Sequence, residues 1–261
     1  MYRRLLSIVA LLTIPGFIFA QSQDTISEAI ISKSDSTIVR TTDYKPKVTA
    51  FIIPAVFIGY GAVSLAGDNV NRRLDYTTKN ELQEDHPLFA AHVDDYVQFA
   101  PAAAVYGLNL IGIKGKNSLL DATGIYLLSS AIMGGSVSIL KKTTHRLRPN
   151  GSGYTSFPSG HTANAFAAAE FLNQEYKNVS PWYGYAGYTI ATATGILRLY
   201  NNKHWFSDVV AGAGFGILST KLSYILYPKI KKLITGKGSF NYTVAPVYSQ
   251  HTIGFSLSGA F

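Results

Sequence analysis

Residues 118–149 read SLLDATGIYLLSSAIMGGSVSILKKTTHRLRP. The run from 118 to 140 is rich in Ala, Gly, Leu and Ile. It has the length of a helix rather than a strand. It ends abruptly in a basic group, Lys141-Lys142-Thr143-Thr144-His145-Arg146-Leu147-Arg148-Pro149. Five further apolar blocks of the same character stand at about 48–66, 98–113, 161–176, 182–200 and 205–227. None alternates with the period of a strand, so the body reads as all-α: a helical bundle of about six apolar helices, membrane-embedded.

The ends of the chain differ from this body. Residues 1–20 carry Arg3 and Arg4, then an apolar run from Leu5 to Ala20, and read as a signal peptide. An uncleaved anchor is the other reading. Residues 21–46 are rich in Ser, Thr and Asp and read as a flexible leader; the helical domain spans 47–230. Residues 231–261 hold a basic segment and a small C-terminal β-hairpin: Phe240, Tyr242 and Val244, then Ile253, Phe255 and Leu257, alternate with small polar residues, with the join near Ser249–Thr252. Within the last apolar block, Gly212 and Gly216 share a helical face on which another helix can approach closely.

Composition excludes several classes. The 261 residues contain no cysteine, which removes disulfides, thiolate zinc sites and thiol nucleophiles. The net charge of +8 favours anionic partners. Its cations sit in short groups between apolar blocks, which suits membrane flanks or phosphate and not a nucleic-acid face. Residues 67–97 are polar, with Arg72, Arg73, Asp85, His86, His92, Asp94 and Asp95, and read as a solvated loop with a short helix. No spacing puts His86, His92 and Asp94 on one face, so no metal site and no cofactor is read here.

Three groups carry chemistry: the basic group at 141–149, Pro158-Ser159-Gly160-His161-Thr162, and Arg198 with His204 and Asp208. If successive helices run up and down, all three emerge at one end of the bundle. A phosphoryl group in transfer spreads negative charge over three oxygens. Arg148 and Arg198 offer planar forks for them, and Lys141 a third cation. Ser159 and Gly160 open a helix, adding a hydroxyl, N–H groups and the positive end of its dipole. With no thiol, histidine is the natural nucleophile and acid. His204 lies one turn before Asp208, whose carboxylate is expected to hold one ring nitrogen protonated and leave the other to attack phosphorus. His161 is expected to protonate the leaving oxygen and later to activate water.

The pattern Lys-x6-Arg-Pro, Pro-Ser-Gly-His and Arg-x5-His-x3-Asp resembles the type 2 phosphatidic acid phosphatase family, whose superfamily includes bacterial acid phosphatases and vanadium haloperoxidases. The resemblance implies His204 as nucleophile, Asp208 as its partner and His161 as general acid, with Lys141, Arg148, Ser159, Gly160 and Arg198 as the phosphate cradle. One departure is Leu197, where the family usually has Ser before the arginine. The implied activity is metal-independent hydrolysis of a phosphomonoester or pyrophosphate on an envelope lipid: lipid A, phosphatidylglycerol phosphate, phosphatidic acid or undecaprenyl pyrophosphate. A soluble periplasmic acid phosphatase and a haloperoxidase are the alternatives.

The implied location is the inner membrane with the site facing the periplasm. Lys114, Lys116, Lys229, Lys231, Lys232 and Lys237 would then lie at the cytoplasmic end. Against six spans stand the short blocks at 98–113 and 161–176 and a mean hydropathy of only +0.13.

Overall fold

Ser159 starts a helix with five alanines and a glycine among its first ten residues, and that smallness lets its neighbours pack closely around it. The computed structural model describes residues 47–235, together with the backbone of 241–249 and 252–260. The expected signal and leader, 1–46, lie outside the described residues. After a short 3-10 turn at Val48–Phe51, the helices are α1 (Ile52–Ser64), α2 (Val70–Asp85), α3 (Asp94–Val97), α4 (Ala100–Leu110), α5 (Leu119–Thr144), α6 (Gly160–Tyr176), α7 (Pro181–Tyr200) and α8 (Phe206–Thr235). Two strands, β1 (Asn241–Ser249) and β2 (Thr252–Ala260), pair antiparallel with Asn241 opposite Ala260 and Ser249 opposite Thr252.

The described residues hold eight α-helices, six of which coincide with the apolar blocks. The other two come from residues 67–97, which hold a sixteen-residue helix and a short one where a solvated loop with a short helix was expected. Asn69 caps α2 by accepting from the Arg72 N–H. The buried positions of α2 are Asp75, Thr78 and Leu82, spaced as one helical face. Two of those three are polar, so no apolar periodicity announces the helix. At the other end of the chain, residues 231–235 continue α8 through Pro228 rather than beginning a separate tail.

Helix α6 packs against α4, α5, α7 and α8, and twelve of its seventeen residues are buried, among them Ala163, Ala165, Ala167, Ala168 and Ala169. Helix α8 reaches it through the glycine face anticipated from the sequence. A Cβ on Gly216 would stand 2.2 Å from the Ala163 carbonyl oxygen, and one on Gly212 would stand 2.6 Å from that of Ser159. Gly214 faces the other way, where a Cβ would meet the Pro54 carbonyl of α1 at 2.7 Å. The backbones are therefore in contact, with no flexible side chain to give way. Gly216→Ala is expected to destabilise the protein by at least about 2 kcal/mol, because overpacking here must move a helix. A thermal melt of the detergent-solubilised protein measures it, and an unchanged midpoint would contradict this packing.

Two described helices are long and apolar enough to cross a membrane, Leu119–Thr144 and Phe206–Thr235. They differ in burial. Only 22% of the apolar window of α5 is covered by protein, whereas 61% of that of α8 is. Helix α5 therefore presents Leu120, Leu127 and Ile139 outward, while α8 exposes apolar side chains mainly at its far end, at Leu233 and Ile234. The apolar character of α6 has another cause: it is core.

The interior also holds charge. Glu170 is fully buried and accepts from Lys221 Nζ at 2.6 Å, Gln174 at 2.7 Å and the Tyr188 hydroxyl. Glu175 accepts from Asn117 and Tyr224. Each carboxylate is hydrogen-bonded, as burial of charge requires. An aromatic and aliphatic cluster of Val105, Ile125, Phe171, Leu172, Tyr176 and Tyr224 packs around this region.

Candidate active site

The three motif groups converge at one end of the bundle, where α5 and α7 end and α6 and α8 begin. Lys141 stands in the last turn of α5. His145 then breaks the helix in the left-handed conformation, at φ 46°. The chain turns through Gly151 and Gly153, both at positive φ, and folds back so that Arg148 N–H bonds to the Gly153 carbonyl and Ser156 N–H to that of Arg146. Ser159 N–H bonds to the Asp208 carbonyl at 3.0 Å, which ties the start of α6 to the start of α8. A Cβ on Gly160 would lie 3.9 Å from Lys141 Cε, so the lysine stem passes directly over that helix start.

His204 is 3% exposed. Its Nδ1 lies 2.8 Å from the Ser156 carbonyl oxygen and 3.7 Å from Asp208 Oδ2. A carbonyl only accepts, so Nδ1 carries the proton and Nε2 keeps its lone pair. The tautomer is the expected one, but the group that sets it differs: a backbone carbonyl holds the proton, and Asp208 stands beyond hydrogen-bond distance as a nearby negative charge. The reason is competition for the carboxylate. Asp208 already accepts from Arg146 Nη1 at 2.7 Å, Ser156 Oγ at 2.5 Å and Trp205 N–H at 2.9 Å. Burial holds the His204 pKa down at about 4, against the opposing pull of Asp208.

Arg198, in the last turn of α7, gives Nη1 to Asp94 Oδ2 at 2.5 Å. His161, in the first turn of α6, meets Asp95 Oδ1 through Nε2 at 2.7 Å. Burial, then the charge of Arg198, lowers the His161 pKa, and the bond to Asp95 opposes them. Ser159 departs from expectation. Its hydroxyl is fully buried and caps α6, meeting Thr162 Oγ1 at 2.8 Å and accepting from Thr162 N–H. The donors left at this helix start are the N–H groups of Gly160 and His161, which have no partner inside a helix.

Lys141, Arg148 and Arg198 lie within electrostatic reach of one another and of His204 or Asp208. Burial, then the charge of Arg198, pushes the Arg148 pKa down. Arg148 pairs with no carboxylate among the described residues. The Nε atoms of Arg148 and Arg198 are both buried without a hydrogen-bond partner. Buried guanidinium N–H groups are rarely left unsatisfied, and two on arginines within electrostatic reach of each other mark a place for an anion.

The sequence reading missed Ser156, whose carbonyl and hydroxyl join His204 to Asp208, and Arg146, Asp75 and Ser207 behind them. It also took Asp94 and Asp95 for surface charge, although Asp94 is 1% exposed. Arg146 sits two residues before Arg148 in the same basic group, but spacing alone does not say which of them turns inward. Asp94, Asp95 and His161 each bring a ligand atom within 4.8 Å of the others, a grouping able to hold a cation. Here Arg198 supplies positive charge to it.

This geometry suits an oxyanion on an α-helical frame, and residues 122–232 match the PAP2 superfamily. Among relatives, the chain is 42% identical over 160 residues to the lipid A 1-phosphatase of Porphyromonas gingivalis, covering 59% of this chain and 34% of that one. It is 31% identical over 134 residues to the lipid A 1-phosphatase of Rhizobium etli, covering 44% of this chain and 55% of that one. The chain thus spans between about a third and about a half of these relatives. Two solved structures are similar: a PAP2-type phosphatidylglycerolphosphate phosphatase from Bacillus subtilis (TM-score 0.45, 20% identity, covering 70% of this chain and 98% of that one) and Aquifex aeolicus LpxE (TM-score 0.42, 21% identity, covering 55% and 92%).

Proposed function

We propose that the protein hydrolyses a phosphomonoester on an envelope lipid through a phosphohistidine formed on His204. The observation that carries this reading is the pair of buried, unpartnered guanidinium N–H groups on Arg148 and Arg198, with Arg198 in electrostatic reach of His204, whose Nδ1 is committed to a carbonyl. The arginines, Lys141 and the N–H groups at the start of α6 hold the three equatorial oxygens of the phosphoryl group. Nε2 of His204 attacks phosphorus as the bond to the leaving oxygen breaks, and His161 gives that oxygen a proton. His161 then takes a proton from water, whose oxygen attacks phosphorus and displaces His204. Asp95 orients His161 for both transfers, and Asp94 holds Arg198 on the anion.

Among the four lipids named above, lipid A is favoured, because proteins similar to this chain are lipid A 1-phosphatases. The enzyme sits in the inner membrane, with α5 and α8 crossing it. Both helices have their catalytic ends on one side, and this side faces the periplasm: Lys229, Lys231 and Lys232 at the far end of α8 give the positive charge expected of the cytoplasmic end. A panel of the four lipids and a small phosphoester, assayed with and without EDTA and vanadate, tests the proposal. Expected are preference for a lipid, full activity in EDTA, inhibition by vanadate and a trapped phosphohistidine. Loss of activity in EDTA would overturn the metal-independent route, and activity in a detergent-free soluble fraction the membrane location.

The pH dependence follows from two histidines. His204 must be neutral to attack; its pKa of about 4 keeps it so down to that pH. His161 must be protonated to act as acid, and its pKa lies below the ordinary 6.5. Activity is therefore expected to fall on the acid side near pH 4 and on the alkaline side below pH 6.5. Stability moves with the same sign on the acid side. The unfolded chain binds a proton at His204 near 6.5 and the folded one only near 4, so stability declines as pH falls through that window. A pH–rate profile and melts at pH 7 and pH 4.5 measure both.

A further inference from the structure

We propose that Arg146 is a positioning residue that fixes the Asp208 carboxylate beside the nucleophile and is itself anchored from behind by Asp75. This rests on the phosphohistidine reading and extends it to a residue that touches no substrate.

Arg146 leaves the end of α5 and reaches three helices. Its Nη1 donates to Asp208 Oδ1 at 2.7 Å, to Ser207 Oγ at 2.8 Å and to Ser64 Oγ at 3.2 Å. Its Nη2 donates to Asp75 Oδ2 at 2.6 Å. Ser207 completes the circuit, giving its hydroxyl to Asp75 Oδ2 and its N–H to Asp75 Oδ1, both at 2.7 Å. The side chain of Arg146 is 12% exposed and those of Asp75 and Asp208 are 1% and 0%. The guanidinium also lies over the ring of Trp205, the residue after His204, at 5.7 Å.

The consequence is orientation. Asp208 Oδ2, the oxygen nearest His204 Nδ1, is aimed by Ser156 and Trp205, and among the described residues only Arg146 holds Oδ1. Without Arg146 the carboxylate is held through Oδ2 alone and can pivot about that oxygen. Ser156, which presents its carbonyl to His204, loses its reference point with it. A planar fork spans two carboxylates on different helices; an ammonium at the same place meets one. The same contacts would suit a merely structural ion pair, so the test must separate the two.

The experiment uses the purified full chain and a lipid phosphate that the wild type turns over. If the wild type and His204→Ala do not differ, the phosphohistidine reading fails, whatever Arg146 does. If they differ, Arg146→Ala is expected to lower kcat about 100-fold, the scale of a small misplacement of a reacting group, while KM and vanadate inhibition stay within about twofold because the cradle is intact. A cleft of about 180 Å³ lined by Arg72, Asp75, Tyr76, Arg146, Leu147 and Trp205 opens onto the guanidinium. Added methylguanidinium should therefore restore part of the lost kcat, and Arg146→Lys should fall between alanine and wild type. An unchanged kcat, or a kcat loss that guanidinium does not relieve and that KM follows, overturns the proposal. Should Arg146→Ala not fold, Asp75→Asn decides: it keeps shape and removes the anchor. A fall of about tenfold in kcat at constant KM supports the clamp, and wild-type kcat rejects it.

Discussion

His204→Ala is expected to end phosphate release, lowering kcat by at least about 10⁴-fold, the scale seen when one member of a unit of catalytic groups is removed. The nucleophile is the one group in this site with no substitute. Among the described residues the only histidine that shares the site is His161, whose Nε2 is committed to Asp95 at 2.7 Å. Alanine also strips the Ser156 carbonyl of its donor, a cost of about 1–3 kcal/mol for a buried acceptor. A dead but destabilised variant would be ambiguous, so His204→Asn is the informative partner. Its amide N–H takes the place of Nδ1 on the Ser156 carbonyl, yet it has no nitrogen lone pair to offer phosphorus. Asparagine should melt like the wild type and still form no phosphoenzyme. Wild-type turnover in either variant would remove His204 from the mechanism.

Arg198→Ala is expected to be damaging twice. Removing one preorganised donor to the phosphoryl oxygens should cost about 10²–10³-fold in kcat/KM. Removing the partner of Asp94, which is 1% exposed, leaves a buried charge unpaired at about 3–5 kcal/mol. The two losses have different cures. In the double variant Arg198→Ala/Asp94→Asn the unpaired charge is gone, so most of the stability should return. The rate should not return, because the oxygens still lack a donor. Melting midpoints beside kcat/KM for the two variants measure this. A double variant that regained activity would show that Arg198 serves Asp94 and not the substrate.

Much of this site was legible because its residues are chemically unusual where they stand. A lysine, two arginines and two histidines placed at the ends of apolar blocks have few other reasons to be there. The glycine face of α8 was equally plain, since two glycines four apart on an apolar helix invite a close neighbour. What could not be read was the partner of each group. Asp75 lies 133 positions before Asp208, and nothing in a polar stretch says that a helix there will bury a carboxylate against an arginine from another loop. Asp94 and Asp95 are adjacent, yet one pairs with Arg198 inside and the other with His161 at the rim. The Ser159 hydroxyl shows the limit from the other side: a residue type that suits phosphate also suits a helix cap, and geometry chose the cap.

Local order along the chain was enough to determine an all-helical body and to suggest the phosphate chemistry proposed for its three groups, because helix-forming apolar runs and side-chain chemistry are properties of short segments. The network behind the nucleophile was decided only by the tertiary structure. A backbone carbonyl fixes the His204 tautomer, Asp208 turns to Arg146, and Asp75 closes the circuit, because hydrogen bonds between residues far apart in sequence depend on how helices pack, and no segment records that alone.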